Sequence, residues 1–194
     1  MLAEPIAVTL LVADVLKALD VPYAIGGSLA SAFHGVMRAT MDADLVADLR
    51  LEHAEPLAQE LSGAFYADVA MMRDAIRRRA SFNVIHLETT FKVDVFVAKS
   101  RAFDRSQLAR RQLHLLSEDP ERYAYVTTAE DIVLSKLEWY RLGNEVSDRQ
   151  WRDVLGVLKV QGDRLDRDYV QRMAVELGVV DLLDRAWREA EGGS

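Results

Sequence analysis

The chain has 194 residues, half of them hydrophobic, with 24 Lys and Arg against 31 Asp and Glu, so it can bury a sizeable core and carries a net charge of −7. That balance excludes a wholly basic nucleic-acid surface but leaves local basic clusters open. The absence of cysteine excludes a disulfide framework, a thiolate zinc site and a thiol nucleophile. Residues 1–19 carry Glu4, Asp14 and Lys17 without a basic leader, and no apolar run approaches the roughly 20 residues of a membrane span. The expectation is a cytoplasmic α/β chain.

Val8, Leu11, Val12, Val15, Leu16 and Leu19 recur at helical spacing and predict an amphipathic helix over 6–19. Asp20, Val21 and Pro22 end it, and 21–25 read as the first strand. Gly26 and Gly27 stop that strand, and Ser28 opens a short helix of small residues over 28–35. An Arg-x-Thr turn, Arg38 to Thr40, leads to Asp42-Ala43-Asp44 at the head of a second strand over 43–48. A second amphipathic helix is expected over 52–62, closed by Ser62 and Gly63, while 69–78 fit either a short helix or an ordered loop. Residues 82–87 and 91–97 read as strands of a hairpin around Glu88, Thr89 and Thr90. Residues 101–112 read as helical, and 123–126 as a short strand or an extended linker. Thr128 and Asp131 resemble a capping box opening a helix through Leu142, which Gly143 and Asn144 stop. Helices near 147–160, 166–177 and 179–190 follow. The expected organisation is a mixed sheet flanked by helices, α/β (α+β), over 1–127 and a C-terminal helical bundle over 128–194, with the terminal Gly-Gly-Ser frayed.

The chemistry concentrates between Tyr23 and Asp48. A Gly pair lets backbone N–H groups approach an anion without an intervening Cβ, and a helix start just after it adds free donors. Residues two apart on a strand point the same way, so Asp42 and Asp44 present two carboxylates roughly 6–7 Å apart on one face. Oxygen ligands so placed can hold hard cations. Asp94 interrupts an otherwise apolar strand and needs a reason to be there. A phosphate cradle beside a metal clamp suggests phosphoryl or nucleotidyl transfer.

Gly26-Gly27-Ser28, then Arg38-x-Thr40-x-Asp42-x-Asp44, then a lone Asp94 on a later strand, resemble the nucleotidyltransferase fold of the DNA polymerase β superfamily. Within it the chain is most similar to small bacterial AbiEii-type proteins, which include toxins of toxin–antitoxin and phage-defence systems. Glu130-Asp131-Ile132, Lys136 and the segment from Arg149 to Asp153 match the helical tail of those proteins. The resemblance implies that Asp42, Asp44 and Asp94 hold two Mg²⁺ ions, with Mn²⁺ an alternative, and that Asp94 takes the proton of an acceptor hydroxyl. It implies that Gly26, Gly27 and Ser28 bind the terminal phosphates of an NTP and that Arg38, Thr40, Lys136 and Asp153 complete the nucleotide site; Arg38 and Thr40 also fit a salt bridge or turn hydrogen bond that orients the Asp pair. The acceptor stays open between a tRNA end, a protein hydroxyl and a small molecule such as an aminoglycoside; an antitoxin protein is the implied partner.

Each feature also has a plainer reading. A Gly pair after a strand is commonly a turn. Arg38 and Thr40 fit ordinary loop residues. Lys136 fits a solvated helix lysine with its stem on Trp139 and Tyr140, and Asp153 fits an i, i+4 partner of Arg149. Arg73, Arg77, Arg78 and Arg79 form either a solvated face or a docking surface for triphosphate or RNA. His34, His53, His86 and His114 share no ligand spacing, and Trp139, Trp151 and Trp187 read as core rather than stacking platforms. The competing function is a non-catalytic nucleotide-sensing or partner-binding module on the same fold.

Overall fold

The computed structural model describes residues 4–35, 40 and 42–192. Arg38, Gly193 and Ser194 therefore lie outside the described residues. The described elements are helices α1 (Glu4–Ala18), α2 (Gly27–Phe33), α3 (Ala54–Leu61), α4 (Val69–Arg78), α5 (Ala102–Arg110), α6 (Ala129–Leu142), α7 (Asp148–Gln161), α8 (Arg167–Leu177) and α9 (Val180–Glu191). The strands are β1 (Tyr23–Ile25), β2 (Asp42–Ala47), β3 (Phe65–Tyr66), β4 (Ser81–His86), β5 (Lys92–Val97), β6 (Gln112–Glu118) and β7 (Glu121–Val126).

The strands form one mixed sheet in the order β3-β4-β5-β2-β1-β7-β6. β2 runs antiparallel to β1 and parallel to β5, which is antiparallel to β4. Alternation decides which face of β2 and β5 is buried. Ala43, Leu45 and Ala47, with Val93, Val95 and Val97, lie in the core, whereas Asp42, Asp44 and Val46, with Lys92, Asp94 and Phe96, share the half-buried opposite face. α1 packs on β1 and β2, α4 on β4, and α3 between α1 and α4. α2 lies against β2 and α6, and α6 to α9 pack on one another.

Several elements differ from the sequence reading. Residues 69–78 are a helix, capped by the Asp68 carboxylate accepting from Met71 N–H at 2.9 Å and closed by Arg79 in a left-handed conformation. Helix α5 stops at Arg110, and the next seven-residue strand, β6, pairs with β7 as the outermost hairpin. Residues 121–126 are therefore a sheet strand and not a linker; β7 also runs parallel to β1, with Thr127 N–H donating to Ile25 O at 2.9 Å. The two-residue β3 was not anticipated either.

Thr128 caps α6, accepting from Asp131 N–H at 3.3 Å and donating to the Asp131 carboxylate at 2.8 Å. Asp131 is fully buried and also accepts from the Tyr169 hydroxyl at 2.6 Å, while Glu130 accepts from Asp166 N–H at 3.1 Å and pairs with Arg110 at 3.3 Å. Glu130 and Asp131 thus tie the start of α6 to α5 and α8.

Candidate active site

The register of β2 and β5 sets Asp44 directly beside Asp94 on adjacent parallel strands, and Asp42 beside Lys92. Directly opposed residues of a ladder point to the same face, and neighbouring strands lie about 4.8 Å apart. Two carboxylates more than forty positions apart in the chain therefore share one patch, with Asp42 two residues from Asp44 on that same face.

The glycine turn abuts this patch. Gly26 N–H donates to Asp44 O at 2.8 Å, bonding the end of β1 to β2. Gly27 has φ of +55°, and a Cβ there would lie 1.7 Å from Asp44 Oδ2. Only glycine admits both the left-handed backbone and the carboxylate. Ser28, in the first turn of α2, is buried.

Burial, followed by repulsion from Asp42 and Asp94, pushes the Asp44 carboxyl up to about 6; Lys136 and Lys92 partly offset this. The donor chemistry suits a hard divalent cation: three carboxylates, one desolvated, on one face. As placed, however, no three His, Asp or Glu side chains among the described residues close on a common metal position. Two of the carboxylates are turned to protein partners. Asp94 pairs with Lys92 Nζ at 2.7 Å. Asp42 accepts from the Thr40 hydroxyl, which lies 3.1 Å from its Oδ1 and 2.7 Å from its main-chain oxygen. Lys92, two residues before Asp94, was legible as a same-face neighbour and was overlooked.

Lys136 is not a solvated lysine. It is buried on α6 and donates to Asp153 Oδ2 at 2.7 Å, so Asp153 faces Lys136 across the α6–α7 contact rather than pairing with Arg149 along its own helix.

A cleft of about 680 Å³ opens over this face of the sheet. Gly26, Gly27 and Asp44 line one end, Val46 and Phe96 the floor, and Ser135, Lys136 and Trp139 of α6 one wall. Arg78, Arg79, Lys99 and Arg101 line the far end. Of the arginine cluster, then, Arg78 and Arg79 reach the cleft, whereas Arg73 pairs with Glu55 at 2.5 Å on the surface. Trp139 is 47% exposed, edge-on to Phe96 with centroids 5.5 Å apart, in contrast to the expected core placement. Trp151 is buried as expected, and Trp187 is half-buried beneath Arg167. His86 bonds Thr89 at 2.9 Å and His53 accepts from Arg50 N–H at 3.1 Å, whereas His34, bonded to Thr127 O at 2.7 Å, lies edge-on to His114 with ring centroids 6.4 Å apart.

The backbone matches an antigenic nucleotidyltransferase-like protein from Paracoccidioides brasiliensis at a TM-score of 0.58 and 17% identity, over 95% of this chain and 92% of that one. The antibiotic-resistance factor ANT(2'')-Ia matches at a TM-score of 0.57 and 13% identity, over 93% and 95%. The chain has the nucleotidyltransferase-like fold. A third structure with this fold, the lincomycin-bound lincosamide antibiotic adenylyltransferase LnuA, matches at a TM-score of 0.53 and 14% identity, over 82% and 98%. No protein-family model and no curated protein matches the sequence. At these identities the likeness establishes the nucleotidyltransferase-like fold alone.

Proposed function

We propose that the chain is a Mg²⁺-dependent nucleotidyltransferase that moves an NMP from an NTP, ATP being the first to test, to an acceptor hydroxyl. The observation carrying this reading is the ladder register that sets Asp44 against Asp94 beside the Gly27 turn. Asp42, Asp44 and Asp94 would hold the metal, with Mn²⁺ a substitute. Bound there, divalent cations supply charge neutralisation for in-line displacement at phosphorus. The chain's own residues do the rest. Gly27 and Ser28 receive the terminal phosphates through backbone and hydroxyl donors. Lys136, held by Asp153, directs positive charge along the same side. Thr40 fixes the Asp42 carboxylate, and Asp94, released from Lys92, accepts the acceptor's proton. The match of Glu130-Asp131-Ile132, Lys136 and Asp153 to the AbiEii-type tail supports a toxin role with an antitoxin partner.

The test is pyrophosphate release from NTP and Mg²⁺ with a pool of RNA, protein and small-molecule acceptors. Asp42→Ala and Asp94→Ala should each abolish release while melting cooperatively. Wild-type rates in either variant would remove the metal assignment. The non-catalytic reading has one observation in its favour, the pairing of Asp94 with Lys92, which leaves the carboxylates unconverged. It predicts nucleotide binding without turnover, including in a Lys92→Met variant that frees Asp94.

A further inference from the structure

We propose that the chain forms a two-fold homodimer in which β6 pairs antiparallel with β6 of a second copy. The proposal concerns the sheet edge and is independent of the transferase reading, since no residue of β6 or β7 lines the cleft.

The two edges of the sheet are built differently. β3 closes one edge with Phe65 and Tyr66 alone, and a strand that short offers little backbone to a partner. β6 closes the other with seven residues, and β7 is the element that packs broadly against it. Beyond its ladder with β7, its backbone makes no main-chain hydrogen bond among the described residues. Gln112 to Ser117 contain neither proline nor lysine, the residues that commonly blunt an open edge. Apolar surface accompanies this backbone. Leu113 lies opposite Tyr125 and Leu115 opposite Tyr123, so the four side chains share one face. Leu113 is 58% exposed, Leu115 40% and Tyr123 48%. Pairing with a second copy carries that face across the axis and sets two Leu-Leu-Tyr groups side by side.

The occupant is a second copy because β6 is complementary to itself. Arg111 stands just before it, Glu118 ends it, and Asp119 follows; none of the three makes an ion pair among the described residues. Antiparallel pairing about Leu115 sets the basic end of each strand against the acidic end of the other, and does so twice. The register shift between Leu115 and Ser117 moves the match by one residue, which exchanges Glu118 for Asp119 and keeps the sign. A parallel pairing sets like ends together, which is unfavourable. A contact of this kind uses the same patch on both copies and closes at two. Seven residues of strand span on the order of 24 Å. The interface therefore falls at the small end of specific contacts, and a micromolar dissociation constant is expected.

Sedimentation velocity of the full chain, without nucleotide or metal, from about 1 µM to about 100 µM tests this. The chain should pass from monomer to dimer over that range. Leu115→Lys puts two cations at the axis and should sediment as a monomer throughout while keeping a cooperative melt. Gln112 is exposed and, in this pairing, faces Glu118 or Asp119 of the second copy. Gln112→Lys should therefore tighten the dimer and Gln112→Glu loosen it, each by roughly fivefold over the two symmetric contacts. A synthetic peptide of residues 111–119 should compete with the dimer, and a scrambled peptide of the same composition should not. A monomer at the highest concentration, a dimer indifferent to Leu115→Lys, the same shift from both Gln112 variants, or equal competition by the scrambled peptide would overturn the proposal. Should Leu115→Lys lose its cooperative melt, the opposed shifts of the Gln112 variants decide the matter alone.

Discussion

Asp44 carries its negative charge against both burial and two neighbouring carboxylates. Its folded pKa, about 6, lies above the ordinary aspartate value of 3.8. A carboxyl raised in this way is neutral in both folded and unfolded chains at low pH, so the penalty is absent there; it grows as pH rises through the interval and is complete above 6. Asp44→Asn should therefore raise the melting temperature at pH 8 without divalent cation, by on the order of 1–3 kcal/mol of stability, and change little at pH 4. Added Mg²⁺ should shrink the difference, because only the aspartate form gains a ligand. Equal melting of the two proteins at pH 8 would show that neither burial nor the neighbouring carboxylates penalise the Asp44 charge. Gly27→Ala is the second residue-scale case. Its Cβ would overlap Asp44 Oδ2 and its backbone would be left-handed, so a loss of about 1–3 kcal/mol is expected, together with loss of any nucleotide-induced stabilisation. Thermal melts with and without NTP check both.

At the scale of elements, the start of α6 is held by polar groups where most helices are held by apolar ones. Asp131→Ala would strip the acceptor from the Thr128 and Tyr169 hydroxyls in a buried setting. It should cost about 2–4 kcal/mol, and Tyr169→Phe about 1–1.5 kcal/mol, read as shifts in denaturant midpoint. The element scale also shows what a sequence discloses. β2 and β5 were legible because their buried faces are a strict alternation of Ala, Leu and Val, and α6 because Thr128 and Asp131 announce its cap. β6 was not. Its alternation, Gln112-Leu113-His114-Leu115, lasts four residues and breaks at Leu116, and it puts Leu113 and Leu115 on an exposed face, so no buried stripe marks it. Its identity as a strand comes from pairing with β7. The same limit applies to the site. Local spacing showed that Asp42 and Asp44 share a face, but the pairing of Asp44 with Asp94 is a register between distant segments. The partnership of Lys136 with Asp153 is likewise a contact between two helices, which is why the nearer Arg149 looked the better candidate.

At the scale of the molecule, the sheet supplies the carboxylates, the β1–α2 turn supplies the glycines, and α6 and α7 supply the buried lysine–aspartate pair, with the cleft between them. No helix among the described residues is long and apolar enough to cross a membrane. The arrangement stands on whether nucleotide and divalent cation bind together at the carboxylate patch. Calorimetric titration of NTP into the full chain, with Mg²⁺ and with EDTA, asks this directly, with Asp44→Ala and Asp94→Ala in parallel. The account predicts saturable binding that requires Mg²⁺ and is lost or weakened at least tenfold in both variants. Binding of equal strength in EDTA, or undiminished in the Asp94 variant, would contradict it.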